Sequence, residues 1–432
     1  MRRSIFPLLF LIVVLGGCSD DAPASAGDPN PSSGASEVVV DENGDPVATA
    51  STAPQIPLIG RVLNSAGLPL SGAVVSVSGA TALTGSDGFY NLDAPASGLV
   101  TAEKPGWVSS EAPWDGGTTP VEIRLKPITV RALRVAANAA GDPAQFQQLL
   151  DLADETAVNA LVFDTKTEGG LVLYDTGVAL AHEMGAVRDT YDPVELIAKA
   201  KEHGLYTITR IVSFDDAIKG DKYPSHAIAG RWIDPRIRDA WTYNLDLAVE
   251  ACELGFDEIQ LDYVRFPSGD AVKISGQLDM SQAERVGAVA AYVAEARSLL
   301  HPLGCSLSAD IFAIVVSASN DQGIGQRPEE LSAHLDALSP MIYPSHYSNG
   351  WLGYDDPNEH PYDVTADAID DSMLRMEPGT ELRPWLQSFW WTSEQIRRSI
   401  QAAEDRGVGW MLWNIESNYS RSSLPTDAEL EG

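Results

Sequence analysis

Cysteine is nearly absent from the chain: 432 residues hold three, at Cys18, Cys252 and Cys305. So few cannot build a disulfide framework, and their spacing matches no cysteine-held zinc site. Positive charge is scarce as well. Against 61 Asp and Glu stand 29 Lys and Arg, a formal net charge of −32, which repels phosphate backbones and anionic lipid and argues against nucleic acid as a partner. Long hydrophobic runs are missing too: Ile5 to Leu15 is too short to span a bilayer. No glycine-rich phosphate turn follows an early strand, so no nucleotide and no other cofactor is expected. What is present suffices for folding. Apolar residues make up 44% and charged residues 21%, and at about 100–200 residues per domain the length allows two to four domains with a sizeable core.

Met1-Arg2-Arg3, the apolar segment after Ser4 and the small pair Gly16-Gly17 read as a signal peptide. Leu15-Gly16-Gly17-Cys18 resembles a bacterial lipobox, and that resemblance implies a lipidated Cys18 at the start of the mature chain. Residues 1–18 would then place the protein outside the cytoplasm, in a bacterial cell envelope, touching membrane through the lipid anchor only. Residues 19–55, rich in Ser, Ala, Gly, Pro and Asp, have the composition of a flexible linker. Cys252 and Cys305, each just before a predicted strand, are expected as buried free thiols rather than a bridge.

Short β-type runs, Leu58 to Leu63, Ala73 to Val77 and Phe89 to Leu92, alternate with turn signals such as Ser86-Asp87-Gly88. They predict a small antiparallel β-sandwich over residues 56–127. Gly60-Arg61-Val62, Pro69 to Val75, Asp87-Gly88-Phe89-Tyr90 and Lys104-Pro105-Gly106-Trp107 resemble carboxypeptidase-regulatory-like domains, which implies a spacing or binding module. Trp107 and Trp114 are expected to serve packing.

Past residue 128, β-type runs alternate with long amphipathic segments, the pattern of parallel βα units. Eight strands are predicted: Val130 to Ala136, Ala160 to Asp164, Tyr206 to Val212, Glu258 to Val264, Ser306 to Phe312, Leu338 to Tyr343, Arg383 to Gln387 and Trp410 to Asn414. Asp142-Pro143, Asp192-Pro193 and Asp234-Pro235 each offer a carboxylate cap followed by proline at the first helical position. Ser281 with Glu284, and Thr392 with Gln395, have capping-box spacing. Residues 128–432 are therefore expected to form an α/β (β/α)8 TIM barrel rather than an open doubly wound sheet, with a short final helix.

In such a barrel chemistry sits at the C-terminal strand ends, and there the sequence is unusually polar. Strand two offers Asp164 and Lys166, strand three Arg210, strand four Asp262, Tyr263 and Arg265, and strand five Asp310. Tyr343 and His346 follow on strand six, Trp390 past seven, and Trp413 and Glu416 on and past eight. Buried strands avoid charge unless it is paired or functional. Asp262 and Asp310, on neighbouring strands, can flank one bond, as glycoside hydrolysis requires: a carboxylic acid protonates the leaving oxygen while a carboxylate attacks or activates water. Arg210 and Arg265 would keep Asp262 ionised as nucleophile or base, leaving Asp310 as the acid with Glu416 in reserve. The other polar groups would hold a poly- or oligosaccharide, with Trp390 and Trp413 against sugar rings. An acidic surface favours neutral or cationic glycans over acidic ones. A metal is not expected, because His226, His334, His346 and His360 supply no close pair to join Asp215-Asp216.

Four segments carry a family resemblance: Asn159 to Lys166, Ile208 to Val212, Gly255 to Pro267 and Ser339 to Tyr347. They resemble a bacterial family of barrels catalogued as glycosyl hydrolases, over about residues 129–416. The resemblance implies a polysaccharide-directed hydrolase distantly similar to α-amylase-type barrels, with Asp262 in the nucleophile position. Gln260 stands where α-amylases carry arginine, and Asp310 where they carry glutamate, so starch is a poor candidate substrate. Val264 excludes the chitinase-type pattern, which needs Glu at that place. The alternative is a lipoprotein that binds glycans or envelope polymer in the same cleft without cleaving them. Binding needs the aromatic residues but not an acid and a base.

Overall fold

The structure is a computed structural model that describes residues 55–431. The segments expected as signal peptide and lipobox, with Cys18, and nearly all of the expected linker lie outside the described residues. Between Ile56 and Pro127 eight short strands build two four-stranded sheets. Their inward faces alternate with outward ones: Leu58 and Val62 of the first strand meet Val75, Tyr90, Val100 and Ile123 in a shared core. The sandwich is not wholly antiparallel. Ile56–Asn64 pairs parallel with Val121–Pro127, Gly60 opposite Val121, because the chain crosses between the sheets before its last strand. Trp114 is buried and donates to the Gly117 carbonyl at 2.9 Å, while Trp107 packs at the core's edge.

The barrel strands run Arg131–Val135, Ala160–Lys166, Tyr206–Val212, Glu258–Asp262, Ser306–Phe312, Ala337–Ile342, Trp385–Gln387 and Trp410–Trp413, with Glu381–Leu382 leading into the seventh. All eight match expectation to within two residues at either end. Neighbours pair in parallel around the whole ring, and Trp410 opposite Arg131 joins the eighth strand to the first. One face of each strand packs on the surrounding helices through residues such as Leu133, Phe163, Leu261 and Leu412. The other face fills the lumen, with Ala132, Val162, Ile208, Trp385 and Met411 at its centre.

Helix starts follow local chemistry at most of the expected places. Asp142 and Asp192 cap Pro143–Asp154 and Pro193–Glu202 through their carboxylates. Ser281 and Thr392 form full capping boxes with Glu284 and Gln395. Asp234-Pro235 departs from expectation: the Asp234 carboxylate is bound by Arg236 at 2.7 Å, and the helix begins only at Thr242. The last helix, Asp427–Glu431, is short as expected.

Cys252 and Cys305 are joined in a disulfide, which corrects the expectation of free thiols. Cys252 lies near the end of helix Thr242–Glu253 and Cys305 just before strand five, and the closed ring brings them to a Cα separation of 6.0 Å. The sandwich covers the N-terminal end of the barrel. Lys104 Nζ donates to the Gly304 carbonyl at 3.1 Å, and Gly106 sits so close to Tyr206 that a Cβ there would lie 3.0 Å from its hydroxyl. The opposite, C-terminal mouth is left open.

Candidate active site

Side chains two residues apart on a strand share a face, so the last inward positions of adjacent strands converge at the mouth. Arg210 is the hub of this convergence and is buried. Its Nη1 donates to Asp164 Oδ1 at 2.9 Å and its Nε to Asp262 Oδ2 at 2.8 Å, while Nη2 meets Glu168. Arg134, from strand one, binds the other Asp164 oxygen at 2.5 Å and lies 4.1 Å over the Trp413 ring. Gln260 holds the place of the α-amylase arginine, yet a guanidinium still reaches Asp262, from the neighbouring strand. Asp262 Oδ1 accepts the Tyr263 backbone N–H at 2.5 Å. Tyr263 itself has φ 49°, a left-handed conformation that costs about 1–3 kcal/mol in a non-glycine residue.

Asp310 differs from these carboxylates. Its Oδ1 accepts the Trp385 indole N–H at 2.8 Å, but its buried Oδ2 has no hydrogen-bond partner among the described residues. Burial first, and then the charge of Asp262, push its pKa well above the usual carboxylate range despite the opposing pull of Arg210. Asp310 therefore holds its proton more tightly than an ordinary carboxyl group. Burial is the largest single influence on Glu168 and works against its ionised form, but the charge and hydrogen bond of Arg210, a backbone hydrogen bond and the charge of Arg134 together outweigh it and hold Glu168 at about 2.

A cavity of about 640 Å³ opens above these groups. It brings together Arg210, Asp262, Tyr263, Arg265, Asp310, Tyr343, His346 and Trp413, all expected at the site. Asp164 lies beneath, tied to Arg134 and Arg210. Lys166 is a correction. The strand bulges between Asp164 and Lys166, which turns the lysine out of the lumen into a buried pocket, where it pairs with Asp216 at 2.6 Å and donates to Asn244 at 2.8 Å. Trp390 and Glu416 line a separate depression of about 410 Å³ beside the mouth, and Trp390 is 80% exposed with φ 60°. Glu168, Trp385 and Phe312 also line the cavity and were not foreseen. For Glu168 a signal existed, since a carboxylate lies two residues past a strand end that already carries Asp164 and Lys166.

The model of a family described as "Putative glycosyl hydrolase domain" matches residues 132–419. The chain belongs to this glycosyl hydrolase family. The match takes in all but the first residue of strand one and every group of the cavity. A hypothetical protein from Ruminiclostridium thermocellum is 31% identical over 41% of this chain and 96% of its own, with a TM-score of 0.36. The glycoside hydrolase domain of PgaB (BpsB) from Bordetella bronchiseptica has the same fold, with a TM-score of 0.52 at 12% identity over 67% of this chain and 95% of its own. The glycoside hydrolase domain of PelA from Pseudomonas aeruginosa is 11% identical over 67% of this chain and 96% of its own, with a TM-score of 0.41. No curated protein matches the sequence.

Proposed function

We propose that this glycosyl hydrolase cleaves a poly- or oligosaccharide with two carboxyl groups, Asp310 as the acid and Asp262 as nucleophile or base. The observation that carries the proposal is the contrast within one cavity between a carboxylate clamped by Arg210 and a neighbouring buried carboxyl group whose Oδ2 has no partner and whose pKa burial pushes up. Asp310 Oδ2 gives its proton to the departing glycosidic oxygen as the C–O bond breaks. Asp262, paired with the Arg210 guanidinium, either bonds to the anomeric carbon or takes a proton from the water that does. Tyr263, Tyr343 and Trp413 supply faces against which sugar rings stack.

The setting we propose is the bacterial cell envelope, with the chain tethered through Cys18 and the sandwich lying between anchor and barrel. The Cys252–Cys305 disulfide supports an oxidising compartment outside the cytoplasm. The test is a hydrolysis screen over polysaccharides and aryl glycosides with the native protein, Asp262→Asn and Asp310→Asn. Loss of about 10²–10⁴-fold in kcat for each variant, with binding retained, is expected. A glycan that the native protein binds but never cuts would overturn the proposal in favour of a binding protein.

A further inference from the structure

We infer that Arg265 is an anion-recognising residue, and that the glycan entering the cleft carries a negatively charged substituent, a carboxylate or a sulfate ester, on a ring beside the cleaved bond. This rests on the glycosidase reading of the cleft. Among the described residues five arginines are buried: Arg134, Arg210, Arg265, Arg285 and Arg383. Four of them meet a carboxylate at 2.5–2.9 Å, namely Asp164, Asp164 with Asp262, Asp321 and Glu258 in turn. Arg265 is the exception.

Arg265 is 4% exposed and lines the cavity wall. Its guanidinium lies 4.3 Å from the ring of Phe312, 4.7 Å from that of Trp232 and 4.9 Å from that of Tyr263. Nη1 donates to the Phe266 carbonyl at 3.1 Å and to Ser268 Oγ at 3.2 Å, while Nε and Nη2 have no acceptor among the described residues. The two carboxylates whose fields reach it are already engaged, Asp262 by Arg210 and Asp215 by Arg231. Burial lowers its pKa to about 10, so it stays charged at neutral pH.

A cation removed from water without a counter-ion is costly, and cation–π contacts with three rings offset only part of that cost. The open N–H groups form part of a planar fork that matches a carboxylate or a sulfate. The acidic surface does not prevent such a ligand from binding. Its field is screened over about 8 Å at physiological salt, whereas the guanidinium acts at contact inside the cavity.

The experiment is calorimetric titration of the Asp310→Asn protein with oligosaccharide pairs that differ only at C6: galacturonide against galactoside, glucuronide against glucoside, and a 6-sulfated galactoside. An anionic member is expected to bind about tenfold or more tightly than its neutral partner. Arg265→Gln should abolish that preference, weakening the anionic member about tenfold more than the neutral one. Arg265→Lys, which keeps the charge but loses the fork, should retain part of it; this variant and the native preference decide the matter if the Gln variant does not fold. Whichever acid binds better identifies the substituent. A panel in which no acidic member is preferred overturns the inference, as does an Arg265→Gln protein that loses acidic and neutral sugars equally. Cleavage of neutral glycans without an acidic preference would remove this inference alone. An Arg265-dependent preference without cleavage by the native protein would remove the glycosidase reading alone.

Discussion

Two buried charge clusters face the lumen of one barrel, and they are built on different rules. At the floor, Glu258 has both oxygens occupied. Arg383 donates to them at 2.8 and 3.0 Å, Ser308 adds a bond of 2.5 Å to one, and Tyr206 adds one of 3.1 Å to the other. One carboxylate meets one guanidinium there, and the sandwich covers Tyr206 from outside. At the mouth Arg210 reaches three carboxylates, of which only Asp164 has a second guanidinium, from Arg134, and a fourth acid, Asp310, keeps an oxygen with no partner at the wall of an open cavity. Matched charge at the floor fixes how the strands pack. Mismatched charge at the mouth sets a carboxyl group whose pKa is pushed up, Asp310, beside an arginine-paired carboxylate, the asymmetry that acid–base chemistry needs.

The largest effect is expected from removing the hub of the mouth. Arg210→Met leaves buried Asp262 and half-buried Glu168 without their guanidinium and Asp164 with Arg134 alone, so a loss of about 3–5 kcal/mol in stability together with loss of hydrolysis should appear in thermal melts and turnover assays. At the floor, Glu258→Gln breaks a pair that no substrate touches. It should destabilise by a few kcal/mol while kcat per folded molecule stays within about threefold. Replacing both partners, Glu258→Leu with Arg383→Met, should recover most of that stability, because the desolvation cost disappears along with the attraction. If Glu258→Gln lowers kcat as far as Arg210→Met does, floor and mouth are one electrostatic unit and the contrast between them fails.

Sequence alone carried the features that depend on local pattern. The eight strands show as β-rich runs, the caps at Asp142, Asp192, Ser281 and Thr392 as residue types at fixed offsets, and Arg210, Asp262 and Asp310 as charges where strands should be apolar. Features that depend on a single backbone irregularity or on ring closure were hidden. Strict alternation puts Lys166 in the lumen, and only the bulge after Asp164 moves it out. The Cys252–Cys305 bridge exists because a helix end and a strand start, 53 residues apart, become neighbours in the closed barrel. Asp234-Pro235 has the signature of a helix start, but Arg236 takes its carboxylate instead.

The smallest expected effect is the most direct test of the contrast, because it reads protonation rather than contact. In the folded protein Asp310 keeps its proton above the ordinary value of 3.8, so over that interval the native state binds more protons than the unfolded chain. Stability linked to this group must therefore fall as pH rises through the window between the two values. Glu168 has the opposite sign: held at about 2 against an ordinary 4.5, it contributes stability above 4.5 that is lost as pH falls toward 2, weakened by its partial exposure to water. Melting temperature measured across pH should show both slopes. Asp310→Asn should remove the fall on the rising side and raise the melting temperature most at the alkaline end, whereas Glu168→Gln should flatten only the acid side. An Asp310→Asn profile parallel to that of the native protein would mean that Asp310 ionises like an ordinary carboxyl group. The mouth would then hold a balanced network like the floor, and the acid on which hydrolysis depends would have to be sought elsewhere in the cleft.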